Sequence, residues 1–287
     1  MKRLLSVALV LGAFVAPASA TVITVPSSAL TPSTQYYTDI VGGGIGSIVV
    51  MTGGGNAAGI GDPTGRNDDG FRGPIPLGFT LTFFGSNYTS FWANNNGNIS
   101  FTGGISAFTP SGPQGQNVPI ISPFFADVDT RTSPGVMRLR TDIPNEIIVT
   151  WDQVGFYGAH SSPTNSFQLV LRGADFLIPV GEGAIGFFWT SMGWETGDAS
   201  GGTNGFGGTP AAVGFGDGAG NGEILEGSTQ NGISRIVANH HIWFDPLLAP
   251  VPPVTQLPEP GTLATFDVML AALGSTRRNK HAAKRLV

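Results

Sequence analysis

Two aspartates and an arginine alternate along one short segment and are the residues best suited to chemistry. Asp127, Asp129 and Arg131 are spaced by two, and a period of two places side chains on one face of an extended strand. Two carboxylates on one face, completed by loop carbonyls, are hard oxygen ligands that suit calcium. The alternative is that the carboxylates pair with Arg131 and cap the local backbone. The segment therefore predicts a calcium site or a charge-stabilised turn.

A second acidic segment runs from Asp217 to Glu223 and begins like a calcium loop. Asp217 and Asn221 are its candidate oxygen ligands. The calcium-loop pattern fails at the third position, where Ala219 stands, and at the twelfth, which is Ser228. Asp217 and Asn221 are a second, weaker candidate for a metal pair.

Catalysis would require an acid and a base. Hydrolysis of a glycoside by two carboxylates could draw on Asp127, Asp129, Asp152, Glu195 and Asp198. The sequence does not fix the distance between any two of them. The chain has no cysteine and no Gly-x-Ser-x-Gly motif, so nucleophilic mechanisms have less support. We therefore expect a protein that is not an enzyme and has no catalytic residue.

Aromatic side chains offer a different kind of site, because exposed rings stack on sugars. Trp194 and Phe206 are the candidates, and Phe206 stands in a glycine-rich loop. The competing interpretation is burial, since aromatic side chains in a β protein mostly stabilise the core. The aromatic and acidic residues together support the hypothesis of a calcium- or polysaccharide-binding, lectin-like module.

The composition restricts the class of partner. The chain contains 43 glycines, 21 prolines and no cysteine, and only 11% of its residues are charged. No lysine occurs between Lys2 and Lys280, so the body is acidic. A nucleic-acid partner would require clustered lysine and arginine and is not expected. Without disulfides, stability must come from the core, from backbone hydrogen bonds or from bound ions.

Short apolar runs with a period of two, bounded by Gly, Pro, Asn or Asp, dominate the body and indicate β-strands. They lie at 47–50, 79–84, 97–101, 136–139, 146–151, 166–171, 184–189 and 212–215. We find no helical periodicity over three turns. The prediction is an all-β, antiparallel, sandwich-like domain whose core draws on Trp151, Phe167 and Trp189. The glycine-rich stretches 42–65 and 196–222 are expected to be surface loops, and 94–98 a hairpin turn.

Several motifs between residues 83 and 218 together resemble those of a known family. The segment 83–101, the Pro-aromatic and Asp-x-Asp-x-Arg run 123–131, and the strand motifs 149–151 and 165–171 occur in the order typical of nidogen-like (NIDO) extracellular domains. Further matching pieces are Ile185-Gly186-Phe187, Trp194-Glu195-Thr196-Gly197 and the segment 210–215. The resemblance covers about residues 83–218. It implies a module of extracellular matrix and cell-surface proteins that acts in cell–matrix adhesion.

The amino terminus predicts export. Lys2 and Arg3 precede the apolar stretch Leu4 to Val15, and Ala18 and Ala20 are small residues at the positions that a signal peptidase recognises. A dozen apolar residues are too few to span a hydrocarbon core of about 30 Å. We therefore expect residues 1–20 to be a cleaved Sec signal peptide and the mature chain to begin at Thr21.

The carboxyl terminus carries a sorting pattern. Pro258, Glu259 and Pro260 are followed by a short apolar run and then by Arg277 and Arg278. This order resembles the PEP-CTERM signal of Gram-negative bacteria that make exopolysaccharide, which implies an exosortase-type sorting enzyme as a transient partner. Because Asp267 lies within the apolar run, we expect association with the inner membrane to be transient.

Four segments are therefore expected: the signal peptide, a β domain at 21–245, a proline-rich spacer at 246–257 and the sorting segment at 258–287. The predicted function is that of an extracellular-matrix or cell-surface protein in cell–matrix adhesion or in the structure of a biofilm exopolysaccharide matrix. The alternatives are the lectin-like module and, after it, the glycoside hydrolase.

Overall fold

The computed structural model describes residues 20–51 and 64–253. The predicted signal peptide through residue 19, with Ala18, lies outside the described residues, whereas Ala20 is described and exposed. The predicted sorting residues also lie outside them: Pro258, Glu259, Pro260, Arg277 and Arg278. Within the described part of the chain, no helix has the length and apolar character needed to cross a membrane.

The described residues contain fifteen strands, in agreement with the all-β prediction. They are β1 (Val22–Val25), β2 (Thr31–Pro32), β3 (Ile48–Val49), β4 (Phe71–Phe83), β5 (Ser86–Asn94), β6 (Asn98–Ser100), β7 (Ile120–Phe125), β8 (Val128–Asp129), β9 (Met137–Arg140), β10 (Glu146–Phe156), β11 (His160–Arg172), β12 (Ile185–Met192), β13 (Ala212–Gly216), β14 (Gly222–Leu225) and β15 (His240–Phe244). Within these described ranges there are also two five-residue helices, α1 (Tyr37–Val41) and α2 (Ile233–Val237), and 3-10 turns at Ser27–Ala29, Pro113–Gly115 and Asp198–Ser200.

The strands form two sheets. The first has the order β1-β14-β13-β7-β6-β5-β4, and the second has the order β2-β15-β12-β11-β10-β9-β3, with β8 also paired to β10. Neighbouring strands are antiparallel except β1 and β14, which are parallel. All eight predicted runs overlap a strand, and the predicted hairpin is confirmed by the antiparallel pairing of Asn94 with Asn98.

The apolar core contains tryptophans of the second sheet, and their indole N–H groups donate hydrogen bonds to backbone carbonyls of the first sheet and its turns. Trp151, Phe167 and Trp189 are fully buried, as predicted. Trp151 stacks on Phe167 with a centroid distance of 5.0 Å. Trp189 Nε1 donates a 2.9 Å hydrogen bond to the Pro123 carbonyl in β7. A buried indole N–H usually finds a partner, and here that partner fixes one sheet relative to the other.

A buried arginine holds α1 against the outer face of the second sheet. Arg172 is 1% exposed, and its Nε lies 2.8 Å from Glu146 Oε2. Its Nη2 donates a 2.6 Å hydrogen bond to the hydroxyl of Tyr37, the first residue of α1. The guanidinium also lies 4.2 Å from the ring centroid of Trp243. The Arg172 side chain thus makes an ion pair, a hydrogen bond to α1 and a contact with an aromatic ring.

Two local expectations need correction. The segment 246–251, expected to be a spacer, packs on the body, because Leu248 is buried and Val251 N donates a 2.8 Å hydrogen bond to Trp243 O. The stretch 196–222, expected to be a surface loop, also enters the body. The amides of Glu195 and Thr196 both bond to Gly205 O, and β13 lies within the stretch. Local composition failed here because backbone hydrogen bonds, together with the buried side chains of Val213 and Phe215 in the predicted run 212–215, hold the stretch in the body.

Candidate functional site

The candidate site is a cluster of carboxylates beside the turn between β5 and β6. Asn67 to Gly70 approaches β8 through the hydrogen bonds Thr130 N to Asn67 O, 2.9 Å, and Asn67 N to Thr130 Oγ1, 2.8 Å. Asn67 Oδ1 closes this loop by accepting the Gly70 amide at 2.6 Å, as asparagine does in turns. The loop presents Asp68 and Asp69 to the cluster.

The asparagine turn holds this loop in place with buried side chains. Asn95 N donates to Gly70 O over 2.8 Å, and the Asn95 side-chain amide donates to Val128 O. Asn96 Oδ1 accepts the Val128 amide at 3.0 Å, and its Nδ2 donates to Asp69 Oδ1 at 2.9 Å. Asn94 to Asn98, predicted only as a turn, is therefore also the scaffold of the acidic cluster.

The predicted pair of Asp127 and Asp129 is divided by the structure. Asp129 follows the structural alternative: its carboxylate accepts Arg131 Nε at 2.9 Å and Arg131 Nη2 at 2.6 Å. It also accepts the Arg131 and Ala159 amides at 2.9 and 3.1 Å. Asp129 is buried and fully hydrogen-bonded. The expectation that it is a metal ligand beside Asp127 is therefore wrong, because its oxygens are already engaged.

Asp127 has a different environment. It is 1% exposed, and within the described part of the chain neither carboxylate oxygen has a hydrogen-bond partner. One oxygen each from Asp68, Asp69 and Asp127 lie within 4.8 Å of one another. Asp68 Oδ1 is also buried without a partner among the described residues, whereas Asp68 Oδ2 lies 2.9 Å from Arg131 Nη2.

The electrostatics of the cluster are unfavourable for three ionised carboxylates. The pKa of Asp127 is raised to about 8, mainly by burial and further by repulsion from Asp69, Asp68, Asp129 and Asp198. Burial and the neighbouring carboxylates raise the pKa of Asp68 to about 7, although Arg131 opposes this shift. The pKa of Asp69 is also raised by burial, against the hydrogen bond from Asn96. The carboxylates of Asp68, Asp69 and Asp127 thus lie close together with little positive charge to neutralise them.

The second candidate metal pair forms a closed turn. Asp217 Oδ1 accepts the amides of Ala219 and Asn221 at 2.7 and 2.9 Å, and Asp217 Oδ2 accepts the Asn221 side-chain amide. Asn221 Oδ1 in turn accepts the Thr21 amide at 2.8 Å. Because these contacts use the oxygens that a cation would need, the proposed metal pair is replaced by a turn that also fixes the start of β1.

The other carboxylates considered for catalysis have structural partners. Asp152 accepts the Tyr36 hydroxyl at 3.0 Å, and Asp198 lies 2.8 Å from His160 Nε2. Glu195 accepts the amides of Gly232 and Ser234, at 2.9 and 3.2 Å, at the start of α2. Glu195 thus caps a helix 37 residues away along the chain.

The two aromatic candidates differ in accessibility. Trp194 is fully buried, and its Nε1 donates a 3.1 Å hydrogen bond to Val154 O. The prediction that it stacks on a sugar is wrong, because no face of its ring reaches solvent. Phe206 is 41% exposed in a turn closed by the 2.8 Å hydrogen bond from Thr203 N to Phe206 O. Of the two candidates, therefore, Phe206 is the one whose ring is exposed to solvent.

Asp68 and Asp69 were not among the candidates predicted from the sequence. The run Asn67 to Gly70 carries a turn signature that could have drawn attention to them. Their approach to Asp127, however, depends on how loops distant in sequence meet at one end of the sheets, and local spacing does not encode that.

Comparison with known proteins places the chain in a family. The family model described as "NIDO related" matches residues 32–247. Among curated proteins, alpha-tectorin of Mus musculus is 35% identical over 185 residues, which is 54% of this chain and 8% of that protein. Alpha-tectorin of Homo sapiens is 34% identical over 185 residues, and that of Gallus gallus is 33% identical over 183, with the same shares of each chain.

The chain therefore spans about 8% of the length of these relatives. No solved structure is significantly similar to it. The family match contains both sheets except β1 and Thr31 of β2, and it also contains the cluster of Asp68, Asp69 and Asp127 and the packed segment up to Leu247. The chain belongs to the NIDO-related family.

Proposed function

We propose that this protein is an exported module of the extracellular matrix or cell surface that acts in cell–matrix adhesion or in matrix structure. The observation that carries the proposal is the family match over residues 32–247. Membership of this family supports a role of the extracellular-matrix or adhesion type. Of the carboxylates considered for hydrolysis, Asp129, Glu195 and Asp198 are held in structural contacts.

The finer part of the proposal concerns the route of export. We assign residues 1–20 to a Sec signal peptide and residues 258–287 to a PEP-CTERM-like segment that an exosortase-type enzyme processes in a Gram-negative bacterium. Support comes from the order of Pro258, Glu259 and Pro260, an apolar run, and then Arg277 and Arg278. Transient association with the inner membrane through the segment would precede release into an exopolysaccharide matrix.

A sedimentation assay tests the matrix role. The purified full chain is mixed with isolated extracellular matrix, and the retained fraction is measured against a heat-unfolded sample. We expect specific retention of the folded chain. Retention no greater than that of the unfolded chain would refute the matrix role. Mass spectrometry of the exported protein tests the route: we expect a mature start at Thr21 and loss of processing in a double Pro258→Ala, Pro260→Ala variant.

The second candidate is a polysaccharide-binding module, favoured by the exposed ring of Phe206 in a hydrogen-bonded turn. Stacking of sugars on such a ring would make retention sensitive to periodate treatment of the matrix. It would also make retention sensitive to Phe206→Ala. Retention that survives both changes would instead indicate a protein component of the matrix.

A further inference from the structure

The carboxylate cluster is more than an acidic patch, because its least exposed member has no partner. We propose that Asp68, Asp69 and Asp127 form a calcium-binding site that joins the loop before β4 to the segment between β7 and β8. This inference goes beyond the matrix role and does not depend on it. It also differs from the sequence-based expectation, since Asp129 is excluded and two other aspartates take its place.

The spacing of the oxygens fits a single ion. Calcium binds oxygen ligands at about 2.3–2.6 Å, so two ligands of one ion are separated by at most about 5 Å. One oxygen from each of Asp68, Asp69 and Asp127 falls within 4.8 Å of the other two. This spacing brings the three carboxylates close enough to share one cation.

The buried state of Asp127 provides the independent observation. Both of its oxygens are inaccessible and have no hydrogen-bond partner among the described residues. A carboxylate in such surroundings is normally paired or bound to a metal ion. Arg131 does not supply the missing charge, because its guanidinium contacts Asp129 and Asp68 Oδ2. A divalent cation would satisfy Asp127 and the free Asp68 Oδ1 together.

Two residues that neighbour contacts of the cluster along the chain carry further oxygen atoms without partners among the described residues. Asn95 Oδ1 and Thr196 Oγ1 are both buried and unpaired within the described residues. Asn95 precedes Asn96, which contacts Asp69, and Thr196 precedes Gly197. A Cβ built on Gly197 would lie 2.6 Å from Asp127 Oδ2, so the backbone there packs directly on the carboxylate. The site is therefore enclosed on the side of residues 196–197.

The donor set selects the type of ion. The three acidic ligands offer only oxygen, and neither histidine nor sulfur belongs to the group. Oxygen-only sites suit calcium or magnesium rather than zinc or copper. Magnesium requires near-ideal octahedral geometry and retains water, whereas calcium accepts irregular, largely dehydrated sites. Calcium is favoured because Asp127 is buried and because the ligands come from two separate segments of the chain.

Calcium dependence of unfolding tests the site. The full chain is stripped with chelator, and its thermal midpoint is compared in chelator, calcium and magnesium. A ligand bound only by the folded state raises this midpoint, by roughly 5–10 °C at 100 times its Kd. We expect calcium to raise the midpoint more than magnesium at equal concentration. No rise with calcium, or an equal rise with magnesium, would overturn the assignment.

Matched variants locate the effect. Asp127→Asn keeps the size of the side chain and removes its charge, so we expect it to abolish the calcium shift. Asp175→Asn makes the same change at an exposed carboxylate and should keep the shift. A shift that persists in Asp127→Asn would refute the site. Circular dichroism checks folding, and Asp69→Asn replaces Asp127→Asn if the latter does not fold.

Terbium luminescence gives a second readout. Trp151 Nε1 donates a 3.0 Å hydrogen bond to Asn95 O, next to the residue that contacts Asp69. Excitation of tryptophan should therefore sensitise terbium bound in the cluster, and calcium should displace it. Luminescence of equal strength in wild type and in Asp127→Asn would show that terbium binds elsewhere and would count against the proposal.

Discussion

Asn96 donates a 2.9 Å hydrogen bond from Nδ2 to Asp69 Oδ1, which ties the turn between β5 and β6 to a loop 27 residues earlier. The same side chain accepts the Val128 amide through Oδ1. One asparagine thus joins three segments that are distant in sequence, and the position of the carboxylate cluster depends on it.

Replacing Asn96 by alanine should destabilise the protein. The change removes the donor of Asp69 and one of the two acceptors of the buried Val128 amide, which keeps its 2.9 Å hydrogen bond to Ala126 O. A buried group that loses a partner costs about 1–3 kcal/mol. Urea unfolding measures the loss. Asn87→Ala, which removes an exposed asparagine bonded to Thr82, is the control and should change stability far less. Equal effects of the two variants would contradict the role assigned to Asn96.

Arg172→Ala should be among the most damaging single substitutions. It leaves Glu146 buried and without its ionic partner, and breaking a buried pair by removing one member costs about 3–5 kcal/mol. It also removes the contact with Tyr37 that holds α1. Chemical unfolding compared with Arg235→Ala, an exposed arginine on α2, tests this expectation. A loss below about 1 kcal/mol would show that the site relaxes or admits water.

Glu195→Ala should weaken the attachment of α2. Glu195 accepts three hydrogen bonds from the first turn of that helix, two from amides and one from the Ser234 hydroxyl. Hydrogen bonds to a charged group each contribute about 1.5–3 kcal/mol. We expect faster amide hydrogen exchange across α2 than in the wild type, with the central strands β10 and β11 less affected. Unchanged exchange at Ser234 would contradict the capping role.

Stability in chelator should depend on pH through Asp127. Its pKa is raised from 3.8 to about 8 by burial and the neighbouring aspartates, so the folded state holds this proton more tightly than the unfolded state does. The contribution is fully present below pH 3.8 and is lost as the pH rises to about 8. We therefore expect Asp127→Asn to reduce the fall in unfolding free energy between pH 5 and 8. Parallel curves for the two proteins would show that Asp127 is not the group responsible.

Alanine substitution of the two aromatic candidates, Trp194 and Phe206, should affect stability very differently. Trp194→Ala removes a fully buried ring, and such truncations cost about 3–5 kcal/mol. Phe206→Ala removes a partly exposed one and should leave the thermal midpoint nearly unchanged. A sugar-binding defect in Trp194→Ala would therefore report unfolding, whereas a defect in Phe206→Ala would report a binding surface. A stable Trp194→Ala protein would contradict the assignment of Trp194 to the core.

Alternation of apolar residues predicted eight of the strands and the sandwich. It missed β7, Ile120–Phe125, which is buried on both faces and shows no alternation. It also missed the pairing of Asp68 and Asp69 with Asp127. Alternation along one strand singled out Asp127, but the choice between a partner at Arg131 and partners almost 60 residues away is made by tertiary packing.

The first and last strands belong to different sheets: β1 lies in the seven-stranded sheet and β15 in the eight-stranded one. Tension applied to the two ends of the folded body must therefore cross from one sheet to the other. Phe215 and Phe244 meet between them, with ring centroids 4.8 Å apart. In a module anchored at one end and loaded at the other, the load would therefore pass through this aromatic interlayer as well as through the pairing of β1 with β14.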